Sequence, residues 1–298
     1  VDASGITSTV ASAVGGLTFT SGNFAAAATV TGTAGAGTNT IDVSAATTAI
    51  VTYVGGSGID TVVLGTGAFA NVLNLGNGTN TVTGASAGAN VITGGSGADT
   101  FVTGTTGNNT VNFGNGTNAF TATTGNNTYT GGTGIDTVIV TTGANTIDLG
   151  GGTTANSVSI GAAAGLNTVT TTSTGVDTVI ITAVQTTGGY YTSLTGWSAG
   201  DIINFAAVDA TGVTEATLGA KITLGSASNF SDYLDAATAS TGTDGELNWF
   251  QFEDNTYVTV DAAANTTFLA GTDSVIQLAG LVDLSTSTST VAGILTIV

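Results

Sequence analysis

The chain contains no cysteine, methionine, histidine or proline, and its only basic residue is Lys221. Each absence excludes something. Without cysteine or histidine there is no Ser-His-Asp or Cys-His triad. Zinc and copper sites of the usual kind go with them. No disulfide can form, so bridges do not report a redox compartment. A single lysine cannot neutralise a phosphate backbone, which removes nucleic acid as a partner. The phosphate loop G-x-x-x-x-G-K-[ST] is missing as well. No apolar run reaches about 18 residues, so no membrane span is expected. The opening VDASGITSTV has neither the charged region nor the apolar core of a signal peptide, and with no starting Met it suggests a processed chain or a fragment.

What is present is 298 residues with 19 carboxylates, a formal net charge of −18 and 41% apolar residues. That apolar share is enough for a core, so the chain is not a solvating acidic tail. The acids are unevenly placed. Residues 1–189 hold Asp2, Asp42, Asp60, Asp99, Asp136, Asp148 and Asp177, while residues 190–298 hold the other 12, every Glu and Lys221. Trp197 and Trp249 also fall in the second part. A boundary near 185–192 follows.

An internal repeat fills the first part. Strand-like residues follow Gly/Asn turns at Ile41, Val51, Val62, Val72, Val82, Val91, Phe101, Val111, Phe120, Tyr129, Val138, Ile147, Val158, Val169 and Val179, in steps of 9 to 11. Such steps are too short for a βαβ unit and too regular for a sandwich. Sorted alternately, one series of turns ends in Asp60, Asn80, Asp99, Asn118, Asp136, Asn156 and Asp177, at spacings of 18 to 21. The other ends in Asn71, Asn90, Asn109, Asn127, Asn145 and Asn167, at spacings of 18 to 22. One coil of about 19 residues therefore holds two strands and two turns. The expected fold is all-β: a parallel β-solenoid of two-strand coils, followed by a small β-rich C-terminal domain. Residues 1–29 fit the repeat poorly and are assigned to an N-terminal cap or linker, 30–189 to the solenoid and 190–298 to the C-terminal domain. Stacked asparagines are expected to hydrogen-bond along the ladder and satisfy turn backbone groups.

Three turns read GGSGIDTVV (55–63), GGSGADTFV (94–102) and GGTGIDTVI (131–139), with a weaker copy, TSTGVDTVI, at 172–180. They match GGxGxDxUx, and in this the repeat over roughly 30–182 resembles the RTX family of type I-secreted calcium β-rolls. Calcium takes six to eight oxygens at about 2.3–2.6 Å. Gly-rich turns expose carbonyls and one Asp per turn adds a carboxylate. The resemblance implies Ca2+ at Asp60, Asp99, Asp136 and Asp177, with Asn80 and Asn118 in the same series. It departs from the family where Asn80, Asn118 and Asn156 interrupt the acids. Each inter-coil site then has one carboxylate and an affinity lowered toward the millimolar class. The competing reading is an Asp/Asn turn ladder with no metal, and the all-Asn series is expected to be metal-free.

GWSAGDIINFAAV (196–208), SDYLDAA (231–237) and the stretch from GELNWFQFEDNTYVTV (245–260) to residue 285 resemble the C-terminal domain of type I-secreted bacterial surface and S-layer proteins. A short helix is expected at 231–237, a hairpin around Glu253–Thr256, and strands near 257–261 and 274–278. The apolar end TVAGILTIV is compatible with an uncleaved export signal. Acid pairs such as Asp232 with Asp235, or Glu246 with Glu253 and Asp254, have glycosidase residue types. They lie in surface-type sequence with no sign of a sugar cleft, so the chain is not expected to be an enzyme. Solvation, or calcium at Asp201, Asp209, Asp244, Asp254, Asp261 or Asp273, is the expected use of these acids. The functional expectation is a self-assembling structural subunit of a bacterial surface layer or filament, extracellular, exported by a type I system and stabilised by calcium. A cell-surface glycan or lipopolysaccharide is the further partner that this implies. The alternative is an adhesin or ice-binding segment using a Thr/Asn face at Asn109-Thr110, Asn127-Thr128, Asn145-Thr146 and Asn167-Thr168, incomplete because Asn71 and Asn90 precede Val.

Overall fold

Strands of three to six residues alternate with glycine-rich turns through most of the chain, because β-branched residues recur every second position between the turns. The structure, a computed structural model, describes residues 16–23, 28–33, 36–84, 86–103, 107–162, 165–171, 174–184, 191–208, 218–239, 245–262, 266–291 and 293–298. The boundary region 185–190, Asp209 and Asp244 lie outside the described residues. The fold is a parallel β-solenoid with a small strand-rich C-terminal region, and the chain divides into two compact units, 1–139 and 140–298.

In the first unit, successive strands go alternately to two sheets. The first sheet takes Thr18–Thr20, Asn39–Asp42, Asp60–Leu64, Asn80–Gly84, Asp99–Thr103, Asn118–Ala122 and Asp136–Val140, the last crossing into the second unit by one residue. The second takes Ala28–Thr33, Ala49–Val54, Val72–Asn74, Val91–Thr93, Thr110–Gly114 and Thr128–Gly131. Strand Thr18–Thr20, inside the 1–29 segment, already pairs in parallel with Asn39–Asp42. Registers never slip between first-sheet coils, so Ile41, Val62, Val82, Phe101 and Phe120 stack in one internal row. Each of these side chains is buried. Burying such a side chain contributes about 1.5–3 kcal/mol relative to exposure. Phe101 stacks on Phe120 at 5.8 Å and Phe120 on Tyr129 at 5.6 Å, carrying the row across to the second sheet.

The second unit repeats the plan. Ser157–Ile160, Thr178–Ile181 and Ile202–Asn204 pair in parallel in one sheet, and Thr146–Asp148, Asn167–Thr170 and Thr192–Thr195 in the other. The C-terminal region then covers both. Ser274–Leu278 adds to Thr192–Thr195 in parallel, and Ile294–Thr296 adds antiparallel to Ile202–Asn204. Sheet edges that would otherwise offer unpaired backbone groups are thus occupied. Glu246–Phe252 and Asn255–Asp261 form an antiparallel hairpin whose two-residue loop puts Glu253 and Asp254 at φ 44° and 61°. That twist suits a tight hairpin. A helix, Phe230–Thr238, packs on the hairpin through Leu234 and Ala237 among Phe250, Tyr257 and Val275. Among the described residues no helix is long and apolar enough to cross a membrane.

Candidate functional site

The aspartates that close the turn series do not lie on the surface. Asp60 opens a strand whose Val62 and Leu64 face the coil interior, and a period of two sends the first residue the same way. Asp60, Asp99, Asp136 and Asp177 are all fully buried, as are Asn80 and Asn118 within 1%. In the first unit these residues form one ladder. Asn39 Nδ2 donates to Asp60 Oδ1 at 2.5 Å. The Asp60 N–H donates to Asn80 Oδ1 at 3.0 Å. Asn80 donates to Asp99 Oδ1 from its backbone at 3.2 Å and from Nδ2 at 2.8 Å. The Asp99 N–H donates to Asn118 Oδ1 at 3.1 Å, and Asn118 Nδ2 to Asp136 Oδ1 at 2.9 Å. Asn80 and Asn118 thus spend both side-chain ends on neighbouring coils. In the second unit the Asn156 N–H donates to Asp177 Oδ1, and the Asp177 N–H to Asp201 Oδ1.

The other side of each coil carries a ladder of asparagines alone. Asn71, Asn90 and Asn109 each donate from Nδ2 to the Oδ1 of the next, ending on Asn127, at 2.7 to 2.8 Å. Asn145 donates to Asn167 in the second unit at 3.0 Å. The Thr/Asn face of the adhesin alternative is therefore half formed: Thr110, Thr128 and Thr146 point outward, while Asn109, Asn127, Asn145 and Asn167 are inside.

Sequence reasoning missed the tyrosines. Tyr53 OH donates to Asp60 Oδ1 at 2.9 Å, and Tyr129 OH to Asp136 Oδ1 at 3.0 Å, each from the opposite sheet. The signal was there: both tyrosines stand seven residues before their aspartate, whereas Ile92 stands seven before Asp99. Burial and the adjacent carboxylate push both phenols far above their usual range.

Asp60 and Asp99 each keep one oxygen, Oδ2, buried without a well-formed hydrogen bond, although the Gly56 and Gly95 N–H groups still act on the two carboxyls and favour their anions. The space beside it belongs to a glycine. A Cβ on Gly55 would lie 2.0 Å from Asp60 Oδ2 and 2.2 Å from the Leu75 carbonyl oxygen of the next coil. A Cβ on Gly94 would lie 2.2 Å from Asp99 Oδ2 and 2.7 Å from the Phe113 carbonyl oxygen. A carboxylate oxygen and a carbonyl oxygen therefore border one small space. That is an oxygen-only, electron-rich set, the donor chemistry calcium takes, at one carboxylate per two coils. Among the described residues no group of three or more acids converges, so carbonyls and water have to complete any shell.

Burial raises the pKa of Asp60, Asp99 and Asp201, against the lowering effect of the hydrogen-bond donors around them, among them Asn39 and Tyr53 at Asp60, Asn80 at Asp99 and Ser198 at Asp201. Without metal, Asp60, Asp99 and Asp201 thus keep their protons to higher pH in the folded chain than in the unfolded one. Their contribution is fully present below the ordinary value of 3.8 and is lost as pH rises from there through the raised folded values. Asp42, half-buried on its strand and lowered by Ser44, acts weakly in the opposite direction. In chelator, the melting temperature is expected to fall as pH rises above 3.8 and these buried carboxyls ionise. Thermal melts at fixed ionic strength measure this. A melting temperature that climbs over that range would mean these carboxylates are stabilised as anions without metal.

Several of the described C-terminal acids hold backbone groups. Asp232 closes a capping box with Asn229 at the start of the helix, and Asp235 Oδ1 accepts the Phe268 N–H. Asp273 accepts the N–H groups of Ala262 and Leu269 on its two oxygens. Asp201 holds Ser198 through Oδ2. Asp261 is buried, and Asp254 is exposed in the hairpin loop. No protein-family profile matches this chain, and no curated protein is significantly similar to it.

Proposed function

We propose that the chain is a self-assembling structural subunit of a bacterial extracellular surface layer or filament, exported by a type I route, in which calcium supplies part of the folding energy. The single observation that supports the calcium part is the pair of buried oxygens without a well-formed hydrogen bond, Asp60 Oδ2 and Asp99 Oδ2, each beside a carbonyl of the next coil. Asp60 with the Leu75 carbonyl, and Asp99 with the Phe113 carbonyl, would hold the ion. Calcium would there offset the buried charge. This chain's residues bring the two coils into register, and Asn39, Tyr53 and Asn80 fix the carboxylates through Oδ1. An ion that binds the folded coil and not the unfolded chain adds its binding energy to folding. Such a chain stays open in a calcium-poor cytosol and folds after export. The building-block part is supported by a fold that stacks similar coils in register. A cell-surface glycan or lipopolysaccharide is the anchoring partner in this reading.

The test is far-UV circular dichroism with light scattering and negative-stain imaging, in millimolar calcium and in chelator. Calcium-dependent β-structure together with ordered particles is the expected result. Equal folding and assembly in chelator would remove calcium and leave a proton-and-asparagine ladder. A second reading, an adhesin or ice-binding segment, rests on the outward threonines Thr110 and Thr128. It takes first place if the folded chain remains monomeric and binds glycan or ice.

A further inference from the structure

We infer that the outer face of the second sheet in the first unit is a contact surface for a second copy of this chain. The inference rests on the building-block reading and assigns it a surface. Along that face Thr52, Val72, Val91, Thr110 and Thr128 stand in register on five successive strands. A second row, two residues further on, runs from Val54 to Thr130 through Asn and Thr. Val72 is 48% exposed and Val91, its direct neighbour, 45%, so the face carries an open aliphatic pair. Covering it removes apolar surface from water.

Charge selects the occupant. With 19 acids and one lysine, two copies repel wherever their carboxylates meet. Among the described residues of the first unit, Asp60, Asp99 and Asp136 are sealed in the coil, and Asp42 lies on the outer side of the other sheet. Neither row carries a charge. A basic or acidic partner finds nothing to pair with here, whereas a second copy brings no repulsion. Thr hydroxyls and Asn amides both donate and accept, so the face is its own polar complement, as a two-fold contact requires. Five strands at about 4.8 Å and a breadth of about 10 Å give roughly 250 Å² per copy, well below the ~800 Å² per partner of a stable pair. A single contact is therefore weak. It holds only where many copies are already side by side.

The test compares three chains by light scattering over a concentration series in millimolar calcium, with circular dichroism as the folding check. Val91→Glu with Thr110→Glu charges the proposed face. Thr81→Glu with Thr100→Glu places the same charge on the outer side of the first sheet. The first pair is expected to raise the concentration at which ordered assembly starts by about tenfold or more, since facing like charges cost several kcal/mol. The second pair assembles as the unaltered chain does. If the first pair loses its β-structure, Val72→Asp alone, on the same row, replaces it. Unchanged assembly of the face variant, or equal loss in both pairs, overturns the assignment and leaves self-assembly standing. An unaltered chain that never assembles overturns the building-block reading and this surface with it. Binding of glycan or ice by a monomer through Val91 and Thr110 also overturns it, by naming a different occupant.

Discussion

Asn109→Ala is expected to destabilise the first unit by about 3–5 kcal/mol, two or three buried polar groups left unpaired at ~1–3 kcal/mol each. Asn109 is 1% exposed and every end of its side chain is used. Its Oδ1 accepts both the backbone N–H and the Nδ2 of Asn90, at 3.3 and 2.8 Å. Its Nδ2 donates to Gly107 O at 2.9 Å and to Asn127 Oδ1 at 2.8 Å. Alanine strands donors on one side and acceptors on the other, in a place water does not reach. Asn109→Asp separates hydrogen bonding from packing. It keeps the acceptor that Asn90 needs, much as Asp99 serves Asn80, but sets an oxygen against Gly107 O and Asn127 Oδ1 where Nδ2 donated, and is expected to lose at least as much as alanine at neutral pH. Urea unfolding of both variants measures the difference. Equal, small losses would mean that the ladder contributes only through its shape.

Gly116→Ala is expected to cost upward of ~3 kcal/mol and to disturb neighbouring coils as well as its own turn. Gly116 sits at φ +129°, where a side chain is strained. Its Cβ would lie 1.7 Å from the Gly97 carbonyl oxygen of the preceding coil. Backbone cannot swing aside as a lysine tail can, so the coils must part and loosen the bonds between them. One of those is the Gly97 N–H to the Asn115 carbonyl, at 3.1 Å. Gly151→Ala is the control. A Cβ there meets nothing within 4 Å, and the change is expected to stay within ~1 kcal/mol of neutral. Melting temperatures of the two variants against the unaltered chain decide it. Similar values for both would show that the turns are loose enough to absorb a methyl group.

The two positions also mark what can be read from a string of residues. Spacing alone gave the coil of about 19 residues, because each turn needs glycine or asparagine and each strand needs a β-branched inward residue. The short helix and the hairpin in the C-terminal part were legible for the same local reasons: a capping box at Asn229–Asp232, and turn residues between two alternating runs. The alternation of Asp with Asn on one side and Asn alone on the other was legible too, and so was its meaning as a ladder.

Local pattern could not say which oxygens the ladder leaves over. Asp60 and Asp99 sit in the same GGSGxD sequence, yet whether a carboxylate oxygen meets a donor depends on Asn39, Asn80 and Tyr53, one coil or one sheet away. The Tyr53–Asp60 and Tyr129–Asp136 bonds cross the core between sheets, and no short-range rule joins residues on opposite walls of a coil. The face of the second sheet is decided in the same way. Asn109 and Thr110 are adjacent in sequence but point to opposite sides of the strand, so the asparagine is spent inside and the threonine is left to meet a partner. The sequence by itself determined the period, the turns and the sheet-forming residues, which follow from steric preference within a few residues. Only the stacking of coils decided which acid oxygens stay unpaired and which rows face outward, because both depend on contacts between residues about 19 apart in the chain.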